Sequence, residues 1–138
     1  MRSLIALVFC FLLAPLQVHA CLGLFANQFI FFEAIPNVQA EGDVIAKVLL
    51  SGVHEETKTA AVTATATVMQ VLKTSDARVQ QGAKIIVRYK FTSCGPNHRD
   101  GDEGTIIART GTDSKGLFVL YPYAYRRYGD RRIFPPEL

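Results

Sequence analysis

From Asp43 to Val53 the chain alternates between apolar and polar positions. Val44, Ala46, Val48 and Leu50 fall on one side, Lys47 and Ser51 on the other. A period of two predicts a strand with one buried face. The same alternation runs through 59–74, where Val62, Ala64, Ala66 and Val68 oppose Thr63, Thr65 and Thr67. The apolar phase then moves to Met69 and Val71, and a slip inside a strand predicts a β-bulge. A helix over this stretch is disfavoured by its density of β-branched residues. In 84–91, Ile85, Val87, Tyr89 and Phe91 point one way, Arg88 and Lys90 the other. Strands are also expected at 28–35, rich in Phe and Ile and stopped at Pro36, and at 104–110 and 116–122, joined by the polar turn 111–116. Five or six strands at this spacing predict an all-β fold, a small antiparallel barrel or sandwich.

The first twenty residues follow another pattern. A single early cation, Arg2, precedes an unbroken apolar run from Leu4 to Ala14, and the segment ends in Val18-His19-Ala20. That is the layout of a secretory signal peptide cut after Ala20. As a helix the run would rise only about 16 Å, against about 30 Å for a hydrocarbon core. Residues 21–138 then form one domain, secreted or periplasmic. Charge adds little. Fifteen basic and twelve acidic side chains give a formal net charge of +3, and Arg2 leaves with the leader, so no polyanion partner is implied.

Of the three cysteines, Cys10 belongs to the leader, and Cys21 and Cys94 remain. An even count in an oxidising compartment favours one disulfide. Closing so long a loop stabilises a chain by roughly 4 kcal/mol in the entropy model. The residues "VHAC" also approximate a bacterial lipobox. In that alternative Cys21 carries a lipid, Cys94 is a lone thiol, and the protein is a membrane-anchored envelope lipoprotein with a scaffolding role.

The polar loops offer no catalytic constellation. His98, Asp100, Asp102 and Glu103 lie in "SCGPNHRDGDEG" (93–104), without the ligand register of a calcium loop, and a solvated turn shaped by its glycines and Pro96 is the simpler expectation. "HEETK" (54–58) lacks the paired histidines of a zinc hydrolase and suits a charged hairpin tip. Cys94 with His98 at i+4 is a weak thiol–base pair. No catalytic residue, intrinsic metal or cofactor is therefore expected. "YPYAYRRYGDRR" (121–132) combines four tyrosines with four arginines; packed tyrosines with solvated arginines suit it, and for an exported chain an anionic glycan, a lipid head group or an acidic protein face fits it better than nucleic acid.

A signal peptide ending directly before a cysteine, the strand "DVIAKV", the long strand ending "VLK" and the later "SCG" together resemble a netrin-like module. That is the OB-fold barrel of the tissue inhibitors of metalloproteinases. The layout is also similar to that of small exported bacterial proteins, which brings no activity with it. The first resemblance implies an OB-like antiparallel barrel of five to six strands, Cys21 as the mature first residue, and Cys94 as its disulfide partner. It further implies a protein partner, a metalloprotease whose zinc is met by the α-amine and carbonyl of Cys21, with Leu22 and Gly23 beside it. Leu22 stands where a small hydroxylic residue is usual, and Gly23 replaces a second cysteine.

Overall fold

The alternating runs are strands. A computed structural model describes residues 28–36, 44–56, 58–90, 95–126 and 133–136. In chain order these hold β1 (Gln28–Phe29), β2 (Val44–Glu56), β3 (Ala61–Lys73), β4 (Lys84–Lys90), β5 (Glu103–Thr112), β6 (Phe118–Pro122), β7 (Ala124–Arg126) and β8 (Ile133–Phe134). The leader at 1–20, Cys21, Leu22, Gly23, Phe91 and Cys94 lie outside the described residues.

Five strands close into a barrel in the order β2-β3-β4-β6-β5, with β5 returning to pair with β2. Each of these pairs is antiparallel except β4–β6, which runs parallel over two registered pairs, Ile86–Val119 and Val87–Leu120. Counting barrel strands alone, the circuit is 1-2-3-5-4-1. This is an OB-like barrel, mixed rather than purely antiparallel. Closure leaves no open edge among these five strands.

The inward set follows the alternation. Val44, Ala46, Val48 and Leu50 of β2, Val62, Ala64, Ala66 and Val68 of β3, and Ile85, Val87 and Tyr89 of β4 share one core with Ile106, Ala108 and Leu120. Val79, in the β3–β4 connection, and Ile30, ahead of β2, are buried in the same core. β2 and β3 are too long to stay in simple register around so small a barrel. Between the pairs Lys47–Gln70 and Val48–Val68, Met69 is the extra residue; between Ile45–Lys73 and Ala46–Val71 it is Leu72. The bulge expected near Met69 is therefore present, and the apolar phase shifts as expected at Val71, which packs against the core, but not at Met69. As supernumerary residues, Met69 and Leu72 stand out at 43% and 45% exposure. A third irregularity, opposite Thr65–Thr63, places extra chain at Gly52 and Val53.

A second, smaller core lies outside the barrel. β1, β7 and β8 form a three-stranded sheet in the order β1-β7-β8. Phe32, Ile45, Ile107 and Tyr123 pack together there, with Tyr125 and Ile133 against them. This explains why Val44–Ala46 and Ile106–Ala108 are apolar without alternation: both faces of β2 and β5 are covered at that point. The 28–35 segment departs from expectation. Only Gln28–Phe29 is a strand, and Phe32 makes an isolated bridge to Thr105. Successive residues face different cores, Ile30 the barrel and Phe32 the outer cluster, so the segment cannot lie flat on one sheet.

Candidate functional site

The residues proposed from sequence to carry binding, Cys21, Leu22 and Gly23, and the disulfide partner Cys94 lie outside the described residues. The nearest described residues that follow them, Gln28 and Gly95, meet. Gly95, directly after Cys94, is buried against the backbone of Gln28. A Cβ added to Gly95 would stand 3.0 Å from the Gln28 carbonyl oxygen, and its φ of +111° disfavours any L side chain. Pro96 next to it is fully buried.

From there the N-terminal segment is fastened across the barrel end. Gln28 and Phe29 pair with Arg126 and Tyr125, and the Phe32 amide donates to the Thr105 carbonyl at 2.7 Å. Phe31 lies on the bare α-carbon of Gly104, where an added Cβ would sit 2.5 Å from the ring. On its other side Phe31 meets the His98 imidazole, with ring centroids 4.4 Å apart. The Ile30 amide donates to Nε2 of His98 at 3.4 Å, and Nδ1 faces the Asp102 carboxylate at 3.5 Å. Tyr89 approaches His98 edge-on at 6.2 Å.

The electrostatics follow from burial. The His98 side chain is 6% exposed, and desolvation lowers its pKa against the opposing pull of Asp102. Nε2 therefore stays an acceptor for Ile30 near neutral pH. Burial likewise raises the pKa of the Tyr89 phenol, helped by the negative charges of Glu55 and Asp102. Its oxygen has no hydrogen-bond partner among the described residues.

The expectation of a solvated turn over 93–104 is thus half right. Asp100 Oδ1 accepts from the Val53 amide at 2.7 Å, Asp102 Oδ2 accepts from the Arg99 amide at 2.9 Å, and Glu103 pairs with Lys47 at 3.3 Å. Yet Gly95, Pro96 and His98 are packed inside. Among the described residues no group of three His, Cys, Asp or Glu side chains is placed to hold a metal. Sequence reasoning treated His98 as a loop residue. No local signal distinguishes it, because its burial comes from Phe31, a residue 67 positions earlier.

A second concave feature lies elsewhere on the barrel wall. Beyond Val87–Leu120 the β4–β6 ladder ends, and a cleft of about 410 Å³ opens there, bordered by Arg88, Lys90, Thr112, Asp113, Ser114 and Tyr121. Of the other tyrosines in the 121–132 stretch, Tyr123 and Tyr125 pack on the outer core as expected, and Tyr128 lies outside the described residues. Tyr123 is buried and accepts a hydrogen bond from Arg109 Nε at 2.9 Å, and Tyr125 stacks on Phe32 at 4.6 Å.

Comparison with family models gives no match for this chain, and neither curated proteins nor solved structures match it.

Proposed function

We propose that this chain is an exported, non-catalytic binding module of netrin-like type, which presents Cys21 at the end of its barrel and ties it to Cys94 by a disulfide. The observation that carries the reading is the packing of Gln28 against Gly95. Gln28 is seven residues after Cys21, and Gly95 directly follows Cys94. A bridge between the two cysteines therefore needs only the short segment 21–27 to turn back along the barrel end, well within its extended reach of roughly 25 Å. The partner is a protein, and a metalloprotease fits the chemistry. An α-amine with a pKa near 8 is partly neutral at physiological pH and able to ligate zinc. A barrel-anchored terminus loses little entropy on binding.

The test begins with the intact mass of the exported protein, with and without reductant. A chain starting at Cys21 that gains about two mass units on reduction, one disulfide, supports the module. Inhibition of zinc proteases, lost when one alanine is added before Cys21, supports the use of its α-amine. A mass increased by a diacylglycerol group makes the chain a lipoprotein anchored at Cys21 and ends the inhibitor reading. Failure to inhibit a broad metalloprotease panel removes the protease as partner.

A further inference from the structure

The cleft beside the truncated β4–β6 ladder is independent of Cys21, and we propose that it is a binding site for an acidic oligosaccharide. Its floor is aromatic. Tyr121 and Gly111 are diagonal neighbours across β5–β6, since Arg109 pairs with Tyr121 and Gly111 with Val119. The Tyr121 ring leans over Gly111 so closely that an added Cβ would stand 2.7 Å from Cε2. A ring lying against a glycine is held as a platform, and the face of an aromatic ring suits the C–H bonds of a sugar.

The walls are polar and carry two cations, Arg88 and Lys90, with the carboxylate of Asp113. Arg88 and Lys90 lie on the outward face of β4, opposite the buried Val87 and Tyr89. Arg88 reaches the Glu56 carboxylate only at a long 3.9 Å, with the two side chains 36% and 42% exposed. Such an exposed pair is weak, so the guanidinium can turn to a ligand carboxylate in the two-pronged geometry it favours. Asp113 is the acidic residue of the wall, and its Oδ1 already accepts from the amides of Lys115 and Leu117 at 2.8 and 2.9 Å. That capping makes the 113–117 turn a pre-shaped rim, beside which Thr112 and Ser114 line the cleft.

The size and aromatic content select the ligand class. A volume of about 410 Å³ is in the range of small-ligand sites and takes roughly two sugar rings. A single-strand nucleic-acid surface stacks successive bases on several aromatics, whereas among the described residues this cleft is lined by two rings, Tyr121 and Tyr89, and Tyr89 is packed in the core.

The experiment is calorimetric titration of the natively exported protein with an oligogalacturonate hexamer, with maltohexaose as a neutral match and oligothymidylate as a rival. Binding of the oligogalacturonate is expected, with maltohexaose at least about tenfold weaker, the loss of a charge-assisted contact. Arg88→Gln should weaken the acidic hexamer by about tenfold and leave maltohexaose unchanged. Tyr121→Ala and Gly111→Ala should weaken both, with the thermal midpoint of each variant checking that the barrel is intact. Replacing Cys21 by Ser should leave sugar binding in place, which separates this site from the N-terminal one. No binding up to about 10 mM, tighter binding of oligothymidylate, or affinity indifferent to Arg88→Gln and Tyr121→Ala in folded protein would each overturn the proposal.

Discussion

At the scale of single residues, His98 carries the clearest consequence. Burial lowers its folded-state pKa below the ordinary histidine value of 6.5. As pH falls through that value the unfolded chain takes up a proton that the folded chain resists, so folding stability falls with it. Above neutrality both forms are unprotonated and the effect vanishes. The groups facing the imidazole are Asp102 from its own loop, the Tyr89 phenol from β4, and Phe31 and the Ile30 amide from the N-terminal segment. A thermal midpoint measured from pH 8 to pH 5 should be level at first and then drop below about pH 6.5. His98→Gln should flatten the drop. Protonation also removes the acceptor for Ile30, so the protection factor of that amide, its exchange rate relative to the unfolded chain at the same pH, should fall as His98 is protonated.

Among the elements, the long β2–β3 hairpin separates two kinds of apolar residue that look alike in the chain. Leu50 is fully buried inside the barrel, whereas Met69 is an extra residue at a bulge and is 43% exposed. Leu50→Ala should cost about 2–5 kcal/mol, the usual range for truncating a core leucine. Met69→Lys should stay within about 0.5 kcal/mol, as for ordinary surface changes. Chemical denaturation of the two variants checks both figures. Equal losses would show that the bulge does not turn Met69 out in solution. The presence of a phase slip was legible in the alternation. Which residue it ejects was not, because that depends on the partner strand's register.

For the whole molecule, two residues from outside the five strands complete the core of the closed barrel. Ile30 enters the main core from the N-terminal segment, and Val79 enters it from the β3–β4 connection. The proposed Cys21–Cys94 bridge would lock the first of these in place. Its removal by a Cys94→Ala change should then destabilise the exported protein by roughly 4 kcal/mol, with hydrogen exchange rising first in residues 28–32. A variant as stable as the parent would mean that the two cysteines are not joined.

The sequence by itself determined the all-β class, the inward residues of β2, β3 and β4, and the turn between β5 and β6. These follow from period-two patterning, which records whether each residue meets core or solvent. Tertiary structure alone decided three other things. The parallel β4–β6 contact that closes the barrel joins strands separated by β5, and no local pattern encodes it. The outer sheet that buries Ile45 and Ile107 appears in the chain only as short apolar runs with the alternation missing. The placing of His98 under Phe31, and of Tyr121 over Gly111, depends on side chains meeting across strands and segments. Periodicity reports how exposed a residue is, whereas a site depends on which distant residue stands opposite, and that is settled only when the barrel closes.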